Sequence, residues 1–183
     1  MNITYSEALK VHDDADCLVT GEQLKSAIKL MAKDISNQIS TEVPVVICVL
    51  NGGMIPMAQL LLHLQFPLEI DYLHATRYGK KTIGTHLSWH AQPTQDLTNR
   101  TILVVDDIFD EGYTLEAICN YLQDSSCKRV YSAVLLNKLH DRKVAYRPDF
   151  IGLDVEDRFL YGFGMDYRGY FRNIDGIYAV KGL

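Results

Sequence analysis

Five short runs along the chain predict strands, and several of them are almost continuously apolar, which constrains the fold more than any other feature. The runs lie at residues 45–50, 68–73, 101–105, 130–136 and 150–154. Such runs are typical of strands that are covered on both faces, because a strand with one wet face alternates polar and apolar residues. Helical patterns separate several of them, for example Leu115, Ile118 and Leu122. The alternation predicts an α/β protein with a mostly parallel sheet.

Two threonines near the N-terminus predict the starts of helices. Thr4 is followed three positions later by Glu7, and Thr20 by Gln23. Each pair fits a capping box, in which the hydroxyl and the later side chain satisfy exposed backbone amides. After Thr20, apolar residues recur at helical spacing over about five turns and predict a buried face. These residues are Leu24, Ile28, Met31, Ile35 and Ile39.

Length and composition limit the functions that are open to the chain. Its 183 residues, without a visible composition break, predict one domain over residues 1–183, since a domain takes roughly 150 residues. The net charge of −5 is unfavourable for nucleic-acid binding, which needs clustered Lys and Arg. No apolar run approaches the roughly 20 residues of a membrane span, and no secretory signal is visible. We therefore expect a cytoplasmic protein without nucleic-acid or membrane partners.

Two stretches depart from the alternation of strands and helices. Residues 76–99 are polar and lack a sustained period, which predicts a long excursion between strands, and long loops often serve as active-site lids. From Glu156 onward, aromatic residues and glycines dominate. This pattern predicts that the tail folds beside the sheet.

The clearest chemical signal lies in residues 102–115. An apolar strand ends in Asp106 and Asp107, and a short loop that holds Asp110 then opens a helix. Ligands of open α/β sheets bind at the carboxyl ends of strands, and the amides of a helix start, with the Thr114 hydroxyl, can hold a phosphate. Adjacent carboxylates suit Mg²⁺, so the string predicts a metal-bound phosphorylated substrate. The alternative is that Asp107 or Asp110 only caps the helix and Asp106 is a solvated strand end.

The same string resembles the signature of type I phosphoribosyltransferases, in which an apolar strand is followed by two acids, two apolar residues, Asp, Thr and Gly. The resemblance implies a site for the 5′-phosphate of phosphoribosyl pyrophosphate (PRPP). Its residues would be Asp110, Glu111, Gly112, Tyr113 and Thr114. Glu111 stands where the family commonly has Thr, which removes a hydroxyl and adds a charge. The phosphate site would tolerate a Glu111 side chain that points outward.

Further matches, from about residue 15 to the end, are similar to the hypoxanthine-guanine branch of that family. Residues 49–53 resemble its pyrophosphate loop, formed here by Leu50, Asn51 and Gly52, in which glycine lets backbone amides approach the leaving group. The resemblance implies a cis Leu50–Asn51 peptide bond, and Asn51 replaces a Lys or another residue of relatives. Arg172 matches the arginine that holds pyrophosphate. Without the family, the loop is only a turn and Arg172 belongs to a surface ion pair.

The residues implied for purine binding are Lys138, Phe159, Leu160 and Asp166. Lys138 matches the lysine that donates to the purine 6-oxo group, and an ammonium, which only donates, would reject the 6-amino group of adenine. Phe159 resembles the aromatic residue that stacks on the base, and the Leu160 backbone would read the base edge. Taken alone, Lys138 would be a solvated strand end and Phe159 could equally be a core residue.

The resemblance also implies a metal cofactor and a mobile loop. Mg²⁺ would be held by Asp106 and Asp107, with Asp166 near a second Mg²⁺. Arg77 and Tyr78 resemble the loop whose closure shields the reaction from water.

As a whole, the resemblance implies purine salvage by transfer of the 5-phosphoribosyl group from PRPP to hypoxanthine or guanine, giving IMP or GMP and pyrophosphate. Asp110 is the candidate general base or acceptor at purine N7, and its acidity makes positioning more important than proton abstraction. The implied fold has a core at about 20–155 and a small hood from residues 1–19 and 156–183, and relatives form dimers or tetramers. A xanthine-preferring enzyme and a PRPP-sensing regulatory protein on the same fold stay open as alternatives.

Overall fold

The computed structural model describes residues 3–77 and 87–182, which run through four helices and nine strands. The helices are α1 (Tyr5–Asp13), α2 (Gly21–Ile39), α3 (Met54–Leu61) and α4 (Tyr113–Gln123). The strands are β1 (Asp16–Thr20), β2 (Val45–Val49), β3 (Glu69–Arg77), β4 (Leu87–Ala91), β5 (Thr101–Phe109), β6 (Arg129–Leu139), β7 (Phe150–Glu156), β8 (Leu160–Tyr161) and β9 (Gly176–Ala179). None of the helices in these two stretches is long and apolar enough to cross a membrane.

Six strands form the main sheet in the order β4-β3-β2-β5-β6-β7. All neighbours in it are parallel except β3 and β4, which are antiparallel. The predicted α/β class with a mostly parallel sheet is therefore confirmed. Because β2 and β5 are parallel neighbours, the loops that follow them lie side by side at one edge of the sheet.

The sheet is covered on both faces, as the apolar runs predict. In β2, Val46 and Cys48 pack with α2 on one face, while Val45 and Ile47 pack with α4 on the other. Alternate residues of a strand point to opposite faces, so a strand with two covered faces has to be apolar throughout. Both predicted capping boxes are present, and the predicted face of α2 is buried over its whole length.

The strands differ from the sequence prediction in two ways that shape the site, and β3, β6 and β7 also extend past their expected ends. The strand expected to end at Val105 continues through both acids to Phe109, because its pairing with β6 extends that far. Residues 76–99 are not one long loop, since β4 folds back along β3. Trp89 of β4 packs against Tyr121 of α4 with ring centroids 4.4 Å apart, which anchors β4 to the core. The sequence analysis did not predict β4, because Trp89 is a lone large anchor within a mostly polar stretch, and such a stretch gives little periodic signal.

The two chain ends form a second sheet of three strands in the order β1-β9-β8. Within this sheet, Tyr161 of β8 is fully buried, and its ring stacks on that of Tyr178 of β9 with centroids 5.8 Å apart. The tail also approaches the loop after β2, because a Cβ added to Gly164 would lie 2.1 Å from the carbonyl oxygen of Gly52. This close approach brings the residues after Gly164 to the edge of the main sheet.

Candidate active site

A cleft of about 420 Å³ opens at the carboxyl ends of β2 and β5. Three segments that are far apart in the sequence line it: the loop after β2, the end of β5 with the start of α4, and the tail after Gly164. The residues predicted for phosphate, pyrophosphate and metal therefore share one cavity, with one exception. Asn51 is exposed and is not part of the lining, whereas Leu50, Gly52 and Arg172 are.

Glycines allow the loop after β2 to lie against β5. A Cβ on Gly52 would be 1.8 Å from Oδ2 of Asp107, and one on Gly53 would be 2.6 Å from the carbonyl oxygen of Val105. The Leu50–Asn51 peptide bond is cis, as the resemblance implies. Any side chain at Gly52 would displace the Asp107 carboxylate, so this residue sets the width of the cleft.

The two neighbouring acids of β5 lie in an environment that opposes their negative charge. Desolvation raises the pKa of Asp106 well above its usual range, and the charge of Asp107 raises it further. Desolvation also raises the pKa of Asp107, against hydrogen bonds and the positive charge of Arg172. Two desolvated carboxylates are costly unless a cation compensates them. Their hard oxygens fit a divalent ion such as Mg²⁺.

The N-terminus of α4 provides the wall opposite the loop after β2. Gly112 is the N-cap residue with φ of +90°, and no side chain caps the helix, so the interpretation of the acids as mere helix caps is wrong. A Cβ at Gly112 would lie 2.4 Å from the Phe109 ring. Amides at such a helix start bind anions, and Tyr113 and Thr114 line the cleft beside them. Glu111 also lines the cleft and is exposed.

Asp110 is held by two residues that lie 28 and 30 positions further along the chain. Its Oδ2 accepts a hydrogen bond of 3.1 Å from Nζ of Lys138, and its Oδ1 lies 2.7 Å from Nε2 of His140. Desolvation alone would raise the pKa of Asp110, but the hydrogen bonds from His140 and Lys138 and the positive charge of Lys138 outweigh it and lower the pKa. Asp110 is therefore an ionised acceptor and a weak base.

The residues predicted to bind the purine lie around Asp110. The Lys138 side chain is only 12% exposed and also faces Asp157 at 3.6 Å, so the alternative of a solvated strand end is wrong. Phe159 is 44% exposed, which contradicts the alternative of a core phenylalanine. Its ring meets Tyr167 edge to face, and Leu160 beside it is buried.

Asp166 and Arg172 form an ion pair at the mouth of the cleft. Arg172 also donates to the carbonyl of Gly164 at 2.6 Å, and the N–H of Gly169 donates to Asp166 at 2.6 Å. These backbone contacts fix both side chains at the cleft, unlike a pair on an open surface.

The sequence analysis misses two residues of the site, His140 and Asp157. With Asp110, they offer possible ligand atoms within 4.8 Å of one another. The register of β6 and β7, which pairs Leu139 with Glu156, brings them together. Their positions just past the ends of adjacent strands were the available signal. The predicted mobile loop is not described: Arg77 ends β3, and its side chain and Tyr78 lie outside the described part of the chain.

The chain is similar to several known proteins over most of its length. Residues 14–168 match the family described as the phosphoribosyl transferase domain. A hypoxanthine-guanine phosphoribosyltransferase of Aquifex aeolicus is 34% identical over 167 residues, which cover 90% of this chain and 93% of the relative. The solved structure of one from Bacillus anthracis has a TM-score of 0.85 at 31% identity and covers 90% of this chain and 98% of that chain. The solved structure of a hypoxanthine-guanine-xanthine phosphoribosyltransferase has a TM-score of 0.84 at 29% identity. The match covers 92% of this chain and 99% of that chain.

Proposed function

We propose, from the premise that the chain belongs to the phosphoribosyl transferase family, that it salvages purines by transferring the 5-phosphoribosyl group of PRPP to hypoxanthine or guanine. In this reaction N9 of the base bonds to C1′ of the ribose, the bond from C1′ to pyrophosphate breaks, and the base loses one proton. The products are IMP or GMP and pyrophosphate. The observation that carries the proposal is the single cleft that joins the α4 N-terminus, the acidic pair and Arg172 next to Lys138.

The phosphate groups of PRPP would be held mainly by backbone and by one arginine. The amides at residues 110–114 suit the 5′-phosphate, since a helix N-terminus attracts anions. The loop at Leu50–Gly52 and the guanidinium of Arg172 suit the leaving pyrophosphate, whose oxygens match the planar fork of arginine. Arg172 is already fixed by Gly164 and Asp166, so little reorganisation accompanies binding.

Mg²⁺ is the proposed cofactor, with Asp106, Asp107 and Asp166 as its ligands. The raised pKa values of Asp106 and Asp107 support this assignment, because a divalent cation would stabilise their ionised forms. When bound, Mg²⁺ neutralises charge on the pyrophosphate group. Asp166 would share its carboxylate between this role and Arg172.

The base would lie between Phe159 and the Asp110–Lys138 pair. The ammonium of Lys138 has three N–H donors, of which two face Asp110 and Asp157, so one is available for a 6-oxo group. A 6-amino group cannot accept that bond, which disfavours adenine. The ionised Asp110 would accept the N–H at purine N7, and the exposed Phe159 ring would stack on the base.

Pyrophosphate release tests the proposal directly. Enzyme, PRPP and Mg²⁺ are incubated separately with hypoxanthine, guanine, xanthine, adenine and uracil. Release with the first two, and none with adenine or uracil, is the expected result. Greater turnover on xanthine would favour the xanthine-preferring alternative, while PRPP binding without turnover on any base would favour the regulatory protein and contradict the proposal.

We also propose that the chain works as one domain that assembles into a homodimer or homotetramer. An apolar groove of about 450 Å³ runs between α3 and β3, and Met54, Ile70 and Tyr72 in its wall are half exposed. A patch of this kind suits a second copy of the chain. Sedimentation should show a dimer or tetramer that Ile70→Glu dissociates, and a monomeric wild type would contradict this assignment.

We further propose the cytoplasm as its compartment. All four cysteines are free thiols, and reducing compartments keep thiols in that state.

A further inference from the structure

Both ring nitrogens of His140 have a polar partner. Nε2 lies 2.7 Å from Oδ1 of Asp110, and Nδ1 accepts a hydrogen bond of 3.1 Å from the backbone N–H of Arg142. The side chain is only 5% exposed. His140 directly follows the last residue of β6, and the backbone turns back at Arg142 to contact its ring. The strand end and this turn together hold the ring in place.

These two contacts determine which nitrogen of the His140 ring carries a proton. A peptide N–H can only donate, so Nδ1 of His140 carries no proton. The proton of the neutral ring is then on Nε2, and it is donated to Asp110. An imidazolium would have to give up the hydrogen bond from Arg142.

Hydrogen bonds and one ion pair link five residues around His140 into a closed ring. Lys138 bridges Asp110 and Asp157, with Nζ at 3.1 Å and 3.6 Å from the two carboxylates. The Arg142 guanidinium binds the other oxygen of Asp157 at 2.8 Å, and its backbone N–H returns to His140. A closed network of this kind holds each member in one orientation. The Asp110 carboxylate therefore has a donor on each oxygen and cannot rotate without breaking one bond.

We propose that His140 is a positioning residue for Asp110, an inference that rests on the proposed phosphoribosyl transfer. Its neutral Nε2–H fixes Oδ1 of Asp110, while Lys138 fixes Oδ2. Each carboxylate oxygen retains a second lone pair, and the fixed plane aims one of them at the N–H of purine N7. His140 itself does not contact the substrate.

The same geometry separates this role from that of a metal ligand. A ligating histidine needs a bare nitrogen, but Nδ1 of His140 is occupied by the Arg142 N–H and Nε2 carries the proton. Metal binding at Asp110, His140 and Asp157 would require the opposite tautomer and the loss of a backbone hydrogen bond.

Two substitutions of His140 test the inference by kinetics. His140→Leu removes the donor, so kcat should fall about ten- to hundredfold, the range for one hydrogen bond to a charged group, while KM for PRPP stays within about twofold. His140→Gln keeps an amide donor near the position of Nε2 and should recover most of kcat. His63→Gln, at an exposed histidine away from the cleft, is the matched control and should behave as wild type.

A spectroscopic signature of the wild-type protein completes the test, and His140→Gln serves to assign it. In a long-range ¹H–¹⁵N spectrum, the resonances that disappear in His140→Gln should show a proton on Nε2 and none on Nδ1. A ring protonated at Nδ1, or kcat of His140→Leu equal to wild type, would overturn the inference and leave the proposed function intact. A wild-type protein that releases no pyrophosphate with any base would overturn the proposed function itself.

Discussion

The phosphate half of the cleft, residues 50–53 and 106–115, consists largely of backbone from two neighbouring strand ends, whereas the base half consists of side chains from separate elements. In the first, Gly52 and Gly112 determine how closely the walls approach. In the second, Lys138 and His140 hold Asp110 through side-chain hydrogen bonds. Substitutions in the phosphate half should therefore affect the reaction with every base, and those in the base half should affect how one base is held.

The two halves also differ in charge balance. Asp106 and Asp107 have raised pKa values because desolvation opposes their charge, whereas the pKa of Asp110 is lowered by the donors around it. The phosphate half is thus suited to a cation that arrives with the substrate. The base half is neutralised by its own residues and keeps its geometry before the base binds.

The largest effect is expected from Gly52→Ala in the phosphate half. The new Cβ would lie 1.8 Å from Oδ2 of Asp107, so that carboxylate has to move. A shift of about 1 Å in an active site can cost about a hundredfold in rate, and we expect a loss of that size with both hypoxanthine and guanine, measured as kcat/KM for PRPP.

Gly21→Ala provides a matched control for that variant. Its Cβ would lie 2.2 Å from a carboxylate oxygen of Asp175, an exposed residue outside the cleft. Both variants force a carboxylate to move, but only Gly52→Ala moves one in the site. Equal activity of the two variants would contradict the role assigned to Gly52.

Lys138→Gln probes the base half and should have the next largest effect. A neutral amide replaces the ammonium that donates to the 6-oxo group, so kcat/KM for hypoxanthine should fall about ten- to hundredfold. KM for PRPP should stay unchanged, and turnover on adenine relative to hypoxanthine should rise, since glutamine can accept from a 6-amino group. Lys128→Gln, at the residue just before β6, is the control, and an unchanged kcat/KM for hypoxanthine in Lys138→Gln would refute the assignment.

Asp106→Asn should stabilise the fold while it lowers turnover. In the unfolded chain Asp106 has the ordinary aspartate pKa of about 3.9, whereas its pKa is raised in the folded protein. Above about pH 4, the Asp106 carboxyl therefore lowers the free energy of unfolding. Removing the charge should raise the free energy of unfolding by about 1 kcal/mol at pH 8 and Tm by about 2–4 °C.

The gain in Tm of Asp106→Asn should depend on pH, and the direction of that dependence tests its cause. Below about pH 4, Asp106 is protonated in both the folded and the unfolded state, so the difference in Tm should close as the pH falls from 8 to 4. The comparison is made in chelator, with exposed Asp34→Asn as the control. A difference that widens toward pH 4 would contradict the desolvation account.

The smallest effect is expected from Glu111→Thr. The variant removes a negative charge from the proposed 5′-phosphate site, and an exposed charge contributes at most about 1 kcal/mol. KM for PRPP should therefore fall about two- to fivefold at low salt, and less at high salt. Glu116→Thr, within α4 and outside the cleft lining, should leave KM unchanged.

The phosphate half was the easier half to predict from the sequence, for a physical reason. Its residues lie in two short segments, and parallel strands place their carboxyl ends at one edge of the sheet. The strand end itself was misplaced, because the continuation of β5 to Phe109 depends on pairing with β6. The ring around His140 could not be predicted, since it depends on the register of β6 against β7 and on a turn at Arg142.

The most direct test of the two-part site is a crystal structure of the protein with IMP, Mg²⁺ and pyrophosphate. The account predicts the 5′-phosphate on the amides of residues 110–114, and the purine on Phe159 with its 6-oxo group at Lys138. A nucleotide whose base lies away from Lys138, or whose phosphate lies outside the α4 N-terminus, would contradict it.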